Sequence, residues 1–153
     1  MLDPSLRQRI VSACILSHID FCNAVLAGLP ACTLAPPQHV LNAAARFVAG
    51  MPARAHIADA MRSLNWLPVA YRIRYKICLL VFVEYNETSP SYTADTTTKI
   101  ATIAGRGWIR SANTSEFDIP RTKTRFGETV FSVAGPPDWN ALPVAIRNIT
   151  EVL

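Results

Sequence analysis

Apolar residues recur at helical spacing through the first part of the chain and predict three helices before residue 65. The first apolar run covers residues 6–26 and stops at Gly28 and Pro30, residue types that commonly follow a helix. Pro36 and Pro37 open the second helix, and Gly50 ends it. Residues 57–64 form a short third helix. The inward face of the second helix is expected to carry Val40, Leu41, Ala44, Phe47 and Val48.

The fourth apolar segment, Val69–Tyr85, carries two conflicting signals. Residues 71–77 alternate as a strand does, yet the apolar region continues for seventeen residues. Strands in globular proteins usually end within about ten residues. The length therefore favours a helix.

Beyond this segment the composition changes. Residues 87–107 are rich in Thr, Ser, Pro and Gly, which is typical of a linker. Short Thr- and aromatic-rich runs at 108–111, 117–119, 122–126 and 129–133 predict a small β-meander, with helical turns around Trp139. The expected fold class is α+β, mainly α. The predicted order is a bundle of about four helices over 1–86, the linker over 87–107, and a β-rich tail with short helical turns over 108–153. Together they are expected to form one compact unit.

Composition excludes several classes of protein. With 153 residues, 50% hydrophobic and 17% charged, the chain has one domain's worth of sequence and enough apolar surface to fold. The longest uncharged apolar run, residues 77–83, is far shorter than the ~20 residues that span a bilayer, so no membrane partner is expected. The net charge of +4 arises in residues 1–86, which hold eight basic and four acidic residues, and it favours an anionic partner.

Four cysteines, Cys14, Cys22, Cys32 and Cys78, occur without a CxxC pair, and three lie in apolar helical patterns. This usage predicts buried thiols in a reducing intracellular compartment, cytoplasmic or nuclear.

Metal-binding residue types occur at Cys14, His18 and Cys22, spaced i, i+4, i+8 on one helix face. The outer two would lie about 12 Å apart along the axis, too far for both to bind one zinc ion. A two-ligand site completed by Cys32 stays open beside the simpler interpretation of packed thiols and a hydrogen-bonded histidine.

Two basic clusters are candidate nucleic-acid contacts. On a strand, Arg121, Lys123 and Arg125 would project from one face about 6.6 Å apart, a spacing that suits a phosphodiester backbone. A charged edge strand that prevents aggregation explains them equally well. On a helix, Arg72 and Lys76 share a face, for which solvation is the ordinary explanation.

Trp66 and Trp139 each lie beside a proline-containing turn and are interpreted as structural anchors. No nucleophile–base pair and no Gly-rich phosphate loop is evident in the sequence. No catalytic residue and no cofactor is therefore assigned.

Five blocks, in order over residues 17–147, resemble the region downstream of the polymerase core in reverse-transcriptase proteins of non-LTR (LINE-type) retrotransposons of the jockey and chicken-repeat clades. The first two blocks are Ser17-His18-Ile19-Asp20-Phe21-Cys22-Asn23 with Gly28-Leu29-Pro30, and residues 40–46. The third and fourth are Leu64-Asn65-Trp66-Leu67-Pro68-Val69 with Arg72-Ile73 and Tyr75-Lys76, and Pro90-Ser91-Tyr92. The fifth is residues 119–127 with Phe131-Ser132, Gly135-Pro136, Trp139-Asn140, Leu142-Pro143 and Ile146-Arg147.

The resemblance implies a piece of a long mobile-element protein, truncated because the family's Lys-rich terminal helix does not follow. The family's polymerase holds two metal ions on carboxylates that include an adjacent Asp-Asp pair. Every aspartate in this chain is isolated in sequence, so no polymerase activity is expected from it. The expected partners are RNA or DNA, bound weakly through charge, and the upstream reverse-transcriptase core. A helical protein-interaction module, or a relic without independent function, is the alternative.

Overall fold

A computed structural model of the chain describes residues 3–94, 96–103, 115–124 and 127–149. These residues are mainly helical, and they divide into two compact units, Met1–Ile73 and Arg74–Leu153. The division falls inside the predicted fourth helix, whereas the sequence suggested a boundary near residue 86. Within the described ranges, no helix is both long and apolar enough to cross a membrane.

The first unit begins with a helix that is shorter than predicted. Helix α1 (Pro4–Val11) continues through a π-helical turn (Ser12–Leu16) into α2 (Ser17–Asp20). Helical geometry ends there because the backbone becomes extended at Phe21 and left-handed at Cys22, with φ 51°. A 3₁₀ turn (Asn23–Leu26) follows.

Helix α3 (Ala31–Ala49) starts earlier than predicted and contains Pro36 and Pro37 in its interior. A proline removes one helical hydrogen bond to the carbonyl four residues before it. The carbonyls concerned belong to Cys32 and Thr33, which are exposed, so water can satisfy them. The predicted end is confirmed, since Gly50 closes the helix with a left-handed φ of 66°.

The buried face of α3 is narrower than predicted. Its buried side chains follow an i, i+3, i+4, i+7 pattern and are Leu41, Ala44, Ala45 and Val48. Val40 and Phe47 are 49% and 51% exposed, so their inward assignment was wrong. Small residues at 44 and 45 allow close packing, and α1 contacts α3 in this unit.

Helices α4 (Ala58–Ser63) and α5 (Val69–Tyr85) confirm the third and fourth predicted helices. The Gln38 side chain caps the start of α5, because its Oε1 accepts the Val69 N–H at 2.8 Å. The same amide donates to Asn42 Oδ1 at 2.8 Å, which orients it. Buried residues recur every four positions along α5, at Val69, Ile73, Ile77 and Val81.

The second unit is not β-rich, so that part of the fold prediction was wrong. After α5 come α6 (Ser91–Ala94), 3₁₀ turns at Ile100–Thr102 and Gly127–Thr129, α7 (Phe131–Asn140) and α8 (Val144–Arg147). Among the described residues, β pairing is limited to one isolated antiparallel bridge between Lys99 and Phe117. The run predicted as a strand at 129–133 instead ends a 3₁₀ turn and begins α7. Residues 108–111 lie outside the described ranges.

The core of the second unit is aromatic. Trp139 and Phe117 are each 1% exposed, with ring centroids 6.3 Å apart. Tyr85, at the end of α5, lies 5.8 Å from Trp139 and 6.2 Å from Phe117. Phe117, whose aromatic character led to the strand prediction, therefore fills the core of this unit instead. Its backbone N–H and C=O groups bond the Asn140 side chain rather than a neighbouring strand.

Candidate nucleic-acid interface

Arg121 and Lys123 lie on an exposed irregular segment rather than on a strand. The two-residue alternation therefore does not place them on one face of a sheet. Neither side chain has an ion-pair partner among the described residues, so both cations are available to an anion. Arg125, the third member of the predicted cluster, lies outside the described residues.

Gly127, the first described residue after this segment, packs against its threonines. The Gly127 N–H donates to Thr124 Oγ1 at 3.1 Å. A Cβ at Gly127 would lie 3.1 Å from the same oxygen and 3.2 Å from the Thr122 side chain, closer than most real contacts of this kind. The side chains of Thr122 and Thr124 thus lie close to Gly127, whereas those of Arg121 and Lys123 are exposed. We call residues 120–124 the basic turn.

Arg72 is engaged within the first unit. Its Nη1 lies 2.6 Å from Asp20 Oδ2, its Nε donates to the Leu67 carbonyl at 3.0 Å, and its side chain is only 15% exposed. A guanidinium held in this way has little surface left for a phosphate. Lys76, in the second unit, is half-buried and has no ion-pair partner within the described residues.

The candidate metal ligands are surface residues. Cys14, His18, Cys22 and Cys32 are all exposed, so the prediction of buried thiols was wrong for three of the four cysteines. The reason is that the α1–α2 region buries only one stripe, which includes Val11 and Leu16, and leaves its opposite side in water. Within the described part of the chain, no group of three or more His, Cys, Asp or Glu side chains could hold a metal ion.

The two tryptophans lie in the interior of their units. Trp139 donates its indole N–H to the Ser115 carbonyl at 2.8 Å and is 1% exposed. Trp66 is 8% exposed and lines an apolar groove of about 780 Å³ in the first unit, together with Met61 and Leu67. Rings buried to this extent do not offer a free face on which a base could stack.

The sequence did not predict two groups of hydrogen-bonded residues in the second unit. Asn140 bonds both backbone groups of Phe117, with distances of 2.9 and 3.0 Å. Glu84 is 6% exposed and accepts hydrogen bonds from Thr96 and Thr97 at 3.3 and 3.1 Å. A sequence signal for the Glu84 group did exist, because Glu84 is the only charged residue in the apolar run 77–85. A glutamate is seldom buried without a partner.

These features define a mainly helical protein with an exposed basic turn. Comparison with known proteins finds no matching family model, and no curated protein or solved structure that resembles the chain significantly.

Proposed function

We propose that the chain is a non-catalytic C-terminal fragment of a retrotransposon-encoded, RNA-directed DNA polymerase, and that it binds RNA or DNA weakly through the phosphate backbone. The proposal rests on five sequence blocks that occur in the family's order between residues 17 and 147. No residue of the chain is assigned a catalytic role in it.

Contact between two of these blocks supports the proposal. Asp20 belongs to the first block and Arg72 to the third, and their side chains are 2.6 Å apart although 52 residues separate them in sequence. Asn23, also of the first block, is 3% exposed and donates to Asp20 Oδ1 at 3.4 Å. The blocks thus contribute to one packed polar cluster, which gives a physical reason for their occurrence together.

The basic turn carries the binding part of the proposal, because Arg121 and Lys123 are exposed cations without an ion-pair partner in the described ranges. Neutralising phosphates on a single strand lowers log K with log salt by about 0.7 for each contact. Arg121, Lys123 and Arg125 together predict a slope of about −2.

The test is a fluorescence-anisotropy titration of labelled single-stranded RNA and DNA at several salt concentrations. The double variant Arg121→Gln/Lys123→Gln is expected to reduce the slope by about 1.4. Arg9→Gln/Arg54→Gln removes the same charge from exposed positions in the first unit and should leave most of the slope intact. Absence of binding at low salt, or an equal loss in both double variants, would contradict binding at the basic turn.

A helical protein-interaction module is the second candidate. It is favoured by Phe21 and Val25, which are 79% and 75% exposed and lie four residues apart beyond α2. Exposed apolar side chains of this kind mark association surfaces when they are clustered. Light scattering coupled to size-exclusion chromatography separates the two candidates: self-association abolished by Phe21→Ser/Val25→Ser supports the module, and a monomer that does not bind a hydrophobic dye argues against it.

A further inference from the structure

The apolar groove of the first unit, about 780 Å³ in volume, is lined by none of the candidate nucleic-acid contacts. Its apolar lining comes from α4 and the residues that flank this helix. Leu67 is 47% exposed, Pro68 is exposed and Ile57 is half-buried, so part of this apolar lining is open to solvent. The volume is within the range of small-molecule sites, about 300–1,000 Å³. The groove can therefore admit the apolar part of a small ligand.

The start of α5 fixes the orientation of two amide side chains in the groove wall. The Val69 N–H donates to Gln38 Oε1 at 2.8 Å, and Gln38 Nε2 in turn donates to Asn42 Oδ1 at 2.8 Å. Asn42 Nδ2 is then left as a donor. It bonds no acceptor within the described ranges, and it is not among their buried unpaired atoms, so it keeps contact with solvent. The amide pair therefore offers an N–H donor to the groove.

The Trp66 indole is a second donor in the wall. Its Nε1 has no acceptor in the part of the chain that the structure describes, unlike that of Trp139, which bonds the Ser115 carbonyl at 2.8 Å. Although Trp66 as a whole is only 8% exposed, this nitrogen is not among the buried unpaired atoms. Indole N–H groups usually find a partner when a tryptophan is buried. The Trp66 N–H is therefore available to an acceptor atom of a ligand.

The charge of the wall is positive. Among the described residues that line the groove, Arg62 alone is charged. Its Nη1 lies 3.0 Å from Asp59 Oδ1, with the two side chains 79% and 89% exposed. An ion pair this exposed contributes little to stability, and a guanidinium has five N–H donors, so Arg62 can also bind a second anion. The wall thus combines one cation and neutral N–H donors with apolar surface.

We propose that this groove binds a small amphiphile with one carboxylate and an apolar tail, of which a medium-chain fatty acid is the simplest example. An ionised carboxylate accepts hydrogen bonds and donates none, which matches the free N–H groups of Asn42 and Trp66 and the single positive charge of Arg62. Ile57 and Leu67 supply apolar surface for the tail. The inference uses residues of the first unit only and does not depend on nucleic-acid binding.

The experiment is isothermal titration calorimetry of the full chain with sodium octanoate, octylammonium chloride and sodium acetate. Saturable octanoate binding is expected. Octylammonium, which has the same tail but no acceptor, and acetate, which has the same carboxylate but no tail, should each bind at least about tenfold more weakly. Octylammonium binding equal to that of octanoate would show adsorption of the tail alone, and equal acetate binding would show attraction of charge alone. Either result, or the absence of saturable octanoate binding, would overturn the proposal.

Two variants locate the carboxylate. Asn42→Asp keeps an acceptor for Gln38 Nε2 but replaces the free N–H donor with a negative charge, and Arg62→Gln removes the positive charge. Each is expected to weaken octanoate binding by about tenfold or more. Asn42→Asp should also bind octylammonium more tightly than the parent does. Gln8→Glu and Arg54→Gln make the same charge changes at exposed positions of the first unit that do not line the groove, and should bind octanoate within about threefold of the parent.

If circular dichroism shows that Asn42→Asp does not fold, Arg62→Gln carries the test, since its side chain is 79% exposed. Octanoate binding by Arg62→Gln equal to that of the parent, or a loss in Arg54→Gln as large as in Arg62→Gln, would refute the assignment.

Discussion

Asn140 is expected to hold the second unit together through two hydrogen bonds to a single residue. Its Nδ2 donates to the Phe117 carbonyl at 2.9 Å, and its Oδ1 accepts the Phe117 N–H at 3.0 Å. Phe117 is 1% exposed, so Asn140→Ala leaves both backbone groups shielded and unpaired. Each such group costs about 1–3 kcal/mol, and because Asn140 itself is only half-buried we expect a total loss of about 2–4 kcal/mol of unfolding free energy.

Urea unfolding followed by Trp139 fluorescence measures this loss, in a background where Trp66 and Trp108 are replaced by Phe. For an m-value of about 2 kcal/mol/M, the midpoint should fall by about 1–2 M. Asn148→Ala is the matched control, because it removes one exposed hydrogen bond, from Ser115 at 2.9 Å, in the same unit. Its midpoint should move by at most a few tenths of a molar.

Asn140→Asp separates hydrogen bonding from packing, since the two side chains have nearly the same shape. A carboxylate can still accept the Phe117 N–H, but it cannot donate to the Phe117 carbonyl and places a negative charge beside it. We expect destabilisation by at least about 1 kcal/mol. An Asn140→Asp midpoint equal to the parent's, or an Asn140→Ala shift no larger than that of Asn148→Ala, would refute the reasoning.

Three further outcomes are expected. Gly50→Ala should destabilise the chain by about 1 kcal/mol in thermal melts through backbone strain at φ 66°, since the nearest atom to the new Cβ is an ordinary 3.4 Å away; an unchanged melting temperature would contradict this. Gly135→Ala should lower the free energy of unfolding by about 1–3 kcal/mol in the same assay, because the new Cβ would lie 3.0 Å from Val81 Cγ2. Ala134→Gly, at the neighbouring position of α7, is the control for helix propensity. Burial, and to a smaller extent the negative charge of Asp138, raises the pKa of the Cys78 thiol. At pH 8 a smaller fraction of Cys78 is therefore thiolate, and iodoacetamide should alkylate it more slowly than the exposed cysteines. Mass spectrometry of samples taken during the reaction measures the alkylation rate of each cysteine, and the urea-unfolded chain is the control. Equal rates for the four cysteines of the native protein would contradict the prediction. The exposed cysteines are Cys14, Cys22 and Cys32.

Local signals predicted the elements that depend on neighbours in sequence. The long apolar run of Val69–Tyr85 forms a helix as its length indicated, and Gly50 ends α3 because a left-handed residue closes a helix at little cost when it is glycine. The start of α3 was misplaced because two prolines were interpreted as a first turn. Their position inside the helix is tolerated only because the carbonyls they leave unpaired lie at the surface.

The β-rich tail failed as a prediction because its signal was compositional. Phe117 has the aromatic, strand-like character expected of sheet residues, but an asparagine side chain 23 residues later in the chain provides its backbone bonds. The same limit applies to the candidate contacts. Residue type marked both Arg72 and Arg121 as candidate phosphate contacts, and only the position of Asp20 showed that Arg72 is already paired.

What the sequence by itself determined is the mainly helical class, most helix positions and the presence of basic clusters, since these follow from spacing and residue type within a few turns of chain. Tertiary structure decided which charges stay free, which side chains fill the cores, and that Gln38, Asn42 and Trp66 line one groove. The physical reason is that burial and pairing depend on neighbours in space. Those neighbours lie as many as 64 residues apart here, as Arg74 and Asp138 do, a separation at which periodicity along the chain carries no information.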